Sequence, residues 1–247
     1  MSNILVLGGS SGIGLGIAKL LMEQGFLVFV MDRNDPPEEV RARIGGFFKF
    51  DLTTIRAVNH FKDLIRKDIK FDHLVITAGG TVREEVQSLK DGKPFWSLSD
   101  QTVEATVHLN LLFQILFVNR FLPFFSATPT NRSITLTSSV NSVGRYGLTV
   151  YSASKAGLEG FARAAAEDLG RIGIRINCVL PGSVKTTASI KENMNFEVAK
   201  KQSLLDRMNE PEDIAEVVGL FVRSNAITGQ SYVCDSGQSL KSLSGRY

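Results

Sequence analysis

The chain has 247 residues, 28 of them basic and 25 acidic, for a net charge of +3, and 43% of it is apolar. A chain of this length buries roughly three quarters of the surface its unfolded form exposes, so it needs no disulfide or metal to hold it together. The charges are dispersed, with no basic run longer than Lys200-Lys201, which speaks against a nucleic-acid or anionic-membrane surface built on clustered charge.

Ile4-Leu5-Val6-Leu7 is a short continuous apolar run of the kind that forms a strand buried on both faces. Glycines follow at Gly8, Gly9, Gly12 and Gly14, and Ile13, Ile17, Leu20 and Leu21 then recur at helical spacing as far as Gln24. Strand, glycine turn and helix in this order suit a dinucleotide. Glycines let the turn adopt angles closed to other residues, and the free N–H groups of the helix start stabilise a pyrophosphate. Further strands are expected at Leu27–Met31, Phe47–Phe50, His73–Thr77, Ser133–Thr137, Arg175–Leu180 and Ser231–Cys234. Helices are expected at Thr53–Lys67, Asp100–Phe121, Val150–Leu169 and Pro211–Val222. Alternation without a linker or repeat predicts an α/β fold: one doubly wound, Rossmann-type parallel sheet with helices on both faces, a single domain over residues 1–247. The least patterned stretches, 81–97 and 187–209, are expected to be loops lining a substrate cleft.

The segment Leu109–Phe125 is strongly apolar but carries Asn110, Gln114, Asn119, Arg120 and Pro123, which are costly in a spanning helix. It is expected to be buried in the core or in a subunit interface, not in a membrane. Cys178 and Cys234 are far apart, and His60, His73 and His108 are scattered, so neither a disulfide framework nor a metal site is expected. The first residues begin a strand with no charged leader, and a cytoplasmic location is expected.

Tyr151-Ser-Ala-Ser-Lys155 puts a phenol and an ammonium on one helix face, four residues apart. A neighbouring positive charge favours the phenolate and brings such a group closer to acid–base work near neutral pH. Ser138 and Ser139 close the strand before this helix, and Asn110 is a polar group inside an apolar one, where an amide demands partners. Asp32 ends the second strand, where a carboxylate accepts hydrogen bonds from ribose hydroxyls and repels a 2′-phosphate, which favours NAD. Arg33, next in sequence, suits NADP.

The spacing Gly8, Gly12, Gly14 resembles the opening motif of the short-chain dehydrogenase/reductase family. The resemblance extends through Asp51-Leu52, Thr77-Ala78-Gly79, Asn110, Ser138-Ser139, Tyr151 and Lys155, Pro181-Gly182-Ser-Val-Lys-Thr186 and Ile227-Thr-Gly-Gln230. It is closest in pattern to the compact branch that includes ketoacyl reductases and hydroxysteroid, sugar and polyol dehydrogenases. The resemblance implies an oxidoreductase moving hydride between a nicotinamide coenzyme and a carbonyl or secondary alcohol. Tyr151 would be the general acid or base, and Lys155 would lower its pKa and bind the nicotinamide ribose. Ser139 would hydrogen-bond the reacting oxygen and Asn110 would hold a water. Gly8, Ser10, Ser11, Gly12, Ile13 and Gly14 would take the pyrophosphate. Asp51 and Leu52 would flank the adenine, Ala78 and Gly79 would line the coenzyme's middle, and Val184 and Thr186 would bind the carboxamide. The interval to Tyr151 fits Ser138 and the place within the serine pair fits Ser139; Ser139 is the expected one. The family also implies a homodimer or homotetramer, consistent with Leu111, Leu112, Ile115, Leu116 and Val118 exceeding one core-facing stripe. A coenzyme-binding regulatory protein on the same fold is the alternative, since fold alone does not fix function. Phe95, Trp96, Tyr146, Met194 and Phe196 are candidates for an apolar substrate pocket or for packing.

Overall fold

A computed structural model describes residues 2–51, 61, 63–66, 68–127, 131–145, 147–191 and 194–244. Seven strands form one parallel sheet: β1 (Asn3–Leu7), β2 (Leu27–Asp32), β3 (Gly46–Lys49), β4 (His73–Ile76), β5 (Arg132–Thr137), β6 (Ile174–Pro181) and β7 (Ser231–Cys234). Their order is β3-β2-β1-β4-β5-β6-β7, and the pairing runs in register from Leu7 opposite Met31 to Leu7 opposite Ile76. The order reverses between β1 and β4, and at such a switch point a crevice opens beyond the carboxyl ends of the strands.

The described helices are α1 (Gly12–Glu23), α2 (Glu38–Arg41), α3 (Arg83–Lys90), α4 (Asp100–Val107), α5 (Phe113–Phe121), α6 (Thr149–Arg171), α7 (Thr187–Lys191), α8 (Phe196–Lys201), α9 (Pro211–Arg223) and α10 (Gln238–Ser244). One core lies on each face of the sheet. On one, Ile4, Val6, Val28 and Val30 pack under Ile17 and Leu21 of α1 and Ile214, Val218 and Phe221 of α9. On the other, Leu5, Leu7, Leu74 and Ile134 meet Phe113, Phe117 and Phe121 of α5 and Leu158 and Ala162 of α6. Each fully buried side chain of this size contributes about 1.5–3 kcal/mol, which is why both faces of the inner strands read as unbroken apolar runs.

The strands and the helices α1, α6 and α9 fall where periodicity places them, within two or three residues. Four expectations need correction or restriction. The single helix expected over Asp100–Phe121 is interrupted by a π-helical turn, His108–Leu112, in which the Phe113 N–H donates to the His108 carbonyl. Asn110 Nδ2 donates to the Thr106 carbonyl from inside that run, and such insertion is a recognised cause of a local bulge. Residues 81–97 and 187–209 are not plain loops, because they contain α3, α7 and α8. The buried face of α3 is formed by Glu85 and Ser88, so an apolar stripe never signals it. Finally, Val118 is buried in the core and Leu111 and Leu116 pack against it, which leaves Leu112 exposed and Ile115 half-buried. The helix expected at Thr53–Lys67 lies largely outside the described residues, as do His60, Leu52 and Tyr146.

Candidate active site

A cleft of about 310 Å³ opens at the switch point, lined by Gly8, Ser11, Gly12, Ile13, Gly14, Asp32, Arg33, Asn34, Asp51, Thr77, Ala78, Gly79, Leu109 and Thr186. Its floor is the start of α1. That helix has no side-chain cap and no acidic residue in its first turn, so its free N–H groups and the positive end of its dipole face the cleft. A side chain at Gly14 would run into the Gly8 carbonyl, so only glycine lets the helix start this close to the strand end. Thr77 Oγ1 donates to the Leu7 carbonyl (2.9 Å) and the Gly8 carbonyl (3.2 Å), tying β4 to the glycine turn.

Asp32 is buried at the end of β2 and accepts the Ser10 N–H (3.0 Å) and the Asn34 N–H (3.1 Å). Ser10 therefore spends its N–H inside the protein and does not line the cleft. A carboxylate has about four acceptor positions, so Asp32 keeps capacity for further donors. The chemistry of this set, a positive helix start beside a carboxylate at the neighbouring strand end, fits a dinucleotide coenzyme.

Behind the cleft, Gly79 brings two other residues to its wall. A Cβ there would stand 3.0 Å from Asn110 Oδ1 and 3.1 Å from Lys155 Nζ, and its φ of +150° is one that glycine favours. Asn110 is fully buried: Oδ1 accepts the Gly80 N–H (2.9 Å), and Nδ2 donates to the Gly80 and Thr106 carbonyls (2.9 and 3.0 Å). Its amide braces the Gly79–Gly80 backbone and is engaged on both ends. Lys155, 3% exposed, donates to the Thr137 carbonyl at 2.7 Å, and burial pulls its pKa down to about 8.

Lys155 Nζ lies 5.7 Å from the centre of the Tyr151 ring. Tyr151 and Ser139 are both buried, and Ser139 Oγ accepts the Asn141 N–H at 3.2 Å. Ser138 points the other way, its Oγ donating to the Lys155 carbonyl (3.1 Å) and Glu159 Oε1 (3.0 Å). The phenol departs from the expected direction: burial pushes its pKa up, Ser139 lowers it and the charge of Glu85 raises it. Desolvation is the largest of these contributions.

Val184 is buried beside Asn209 and lies outside the cleft wall, whereas Thr186 is part of it. Phe95 and Trp96 are exposed and stacked edge to face at 5.5 Å, and Met194 is also exposed. Sequence reasoning missed Asn34, Leu109, Gln114 and Glu85. Gln114 donates to the Ala78 carbonyl at 3.2 Å, and as a polar residue in an apolar helix it carried the same signal as Asn110.

A switch-point cleft built for a dinucleotide, with a buried phenol and ammonium behind its wall, defines a coenzyme-dependent oxidoreductase. The chain belongs to the short chain dehydrogenase family, whose profile matches residues 2–196, and acts on C=O or CH–OH groups with a nicotinamide coenzyme. It is 31% identical over 239 residues to human 3-oxoacyl-[acyl-carrier-protein] reductase, covering 95% of this chain and 97% of that one. It is 30% identical to carbonyl reductase family member 4 of Danio rerio, covering 96% and 97%. Among solved structures, a short chain dehydrogenase/reductase family protein superposes with a TM-score of 0.81 at 26% identity, covering 97% of each chain. 4-Hydroxyisoleucine dehydrogenase complexed with NADH gives 0.77 at 24%, covering 97% and 99%, a likeness of fold.

Proposed function

We propose that the protein moves hydride between NAD and a carbonyl or secondary-alcohol substrate, with Tyr151 as the acid or base. The observation that carries this reading is the buried Tyr151 ring 5.7 Å from Lys155 Nζ, an ammonium that lies directly behind Gly79 of the cleft wall, with Ser139 buried as well. When bound, the coenzyme supplies or accepts the hydride. The N–H groups around Ser11, Gly12, Ile13 and Gly14 hold its pyrophosphate, and Asp32 takes the adenosine ribose hydroxyls. Asp51 flanks the adenine, Ala78 and Gly79 the middle, and Thr186 the carboxamide end. Tyr151 gives its proton to the carbonyl oxygen in reduction and takes one from the alcohol in oxidation, while Ser139 hydrogen-bonds that oxygen. A phenol raised by burial is protonated at neutral pH, which sets it up as the acid of carbonyl reduction.

Asn110 serves the site through its hold on Gly80, next to the Gly79 that adjoins Lys155. The reductase names of the similar proteins agree with a carbonyl substrate. Exposed Leu112 and half-buried Ile115 support a homodimer or homotetramer, which light scattering at micromolar concentration tests against a 27.1 kDa particle. Two free cysteines, Cys178 and Cys234, agree with a reducing location such as the cytoplasm.

Tyr151→Phe tests the central assignment, since it removes the transferable proton and keeps the ring. Turnover of NADH or NAD against a panel of carbonyls and alcohols is expected to fall by about 10²–10⁴-fold, with coenzyme affinity unchanged. A variant retaining more than about a tenth of wild-type turnover refutes the role.

A further inference from the structure

The helix that carries Tyr151 begins without a cap of its own. Leu148 stands at its N-cap position, and no local side chain takes a first-turn N–H. Such a start leaves unpaired donors and the positive end of the helix dipole. The acceptor comes from α3. Glu85, 1% exposed, receives the Val150 N–H at 3.0 Å and the Tyr151 N–H at 3.2 Å on one carboxylate oxygen. One turn further along α3, Leu89 packs on Gly147, just before α6, where any side chain would collide with it. Together these contacts clamp the approach to α6 at two points.

The choice of a carboxylate is costly. The second oxygen of Glu85 is buried without a hydrogen-bond partner, a desolvation penalty that a neutral Ser, Thr or Asn cap would avoid. We infer that Glu85 is a positioning residue for the reaction: it holds the main chain of Tyr151 so that the phenol meets Ser139, and it places a negative charge beside that phenol. The inference rests on Tyr151 acting as acid and base. Three groups from three elements then face the phenol, namely Ser139 from the end of β5, Lys155 from α6 itself and Glu85 from α3. Glu85 and burial both favour the protonated phenol, which is the form that donates to a carbonyl oxygen.

Two variants separate the positional part from the charge. Glu85→Gln keeps a carbonyl oxygen for the two N–H groups and removes the charge, whereas Glu85→Ala removes both. In Glu85→Ala, hydrogen exchange at the Val150 and Tyr151 amides is expected to speed up by about tenfold or more. Its kcat should fall by about tenfold or more while coenzyme KM stays within about threefold. Glu85→Gln should restore the amide protection and most of kcat, and should move the pH midpoint of Tyr151 downward, read from the rate profile and from spectroscopic titration of the phenol. An alanine variant with wild-type exchange and kcat overturns the inference, and so does a glutamine variant whose midpoint is unmoved. Should the alanine variant fail to fold, the glutamine midpoint decides. If the wild type turns over no carbonyl or alcohol, the functional reading fails, while exchange and phenol titration still judge Glu85.

Discussion

Asn110→Leu is the most searching perturbation of how the fold supports the cleft. It nearly conserves side-chain volume and deletes three hydrogen bonds, those to the Gly80 N–H, the Gly80 carbonyl and the Thr106 carbonyl. At about 1 kcal/mol net for each, the loss is about 3 kcal/mol, more if the Gly80 groups stay dry. For a chain of this size that corresponds to a fall in Tm of about 6–12 °C. The damage is directional, because Gly80 follows Gly79, which lines the cleft and adjoins Lys155. Calorimetry with and without coenzyme reads both effects: a ligand that binds only the native state raises Tm by mass action, and the variant is expected to gain less from the same concentration. A variant melting within about 2 °C of wild type, with an equal coenzyme-induced shift, would show that the Asn110 clamp is dispensable.

Lys155→Met should abolish most turnover yet stabilise the protein at pH 7. Burial holds Lys155 at about 8 against its ordinary 10.5, so the unfolded chain binds the extra proton between those values and native stability rises across that window. The charge cost at pH 7 is about 3 kcal/mol, offset in the variant by about 1 kcal/mol for the unpaired Thr137 carbonyl; urea unfolding should show the variant's advantage shrinking from pH 8 to 10.5. A variant less stable than wild type at pH 7 refutes the account. Ser139→Ala should cost more turnover than Ser138→Ala, and Ser138→Ala more stability, since Ser138 is bonded to Lys155 and Glu159 away from the phenol; the reverse order of kcat losses would reassign the site. Catalytic efficiency should favour NAD over NADP, and Asp32→Ala should narrow the gap by relieving repulsion while Arg33 stays in the cleft. A wild type that prefers NADP would make Arg33 the dominant contact.

The sequence by itself determined the strand set, the glycine cradle and the Tyr151–Lys155 pair, because each depends on local spacing: unbroken apolar runs for strands buried on both faces, glycines for a turn, four residues for one helix face. Val118 shows the limit of that reading, since which side of an all-apolar helix meets the sheet depends on packing. Adjacent residues at a strand end point to opposite sides, and that Ser138 turns to the Lys155 carbonyl and Glu159 followed only from where α6 lies. That the Thr77 hydroxyl reaches two carbonyls of the neighbouring strand end likewise depended on how β4 lies beside β1. Glu85 was invisible as part of the site because its partners are main-chain N–H groups 65 and 66 residues away. The direction of the Tyr151 shift also belonged to tertiary structure, for an ammonium four residues off is a property of the chain, whereas the loss of water around a phenol is a property of everything packed upon it.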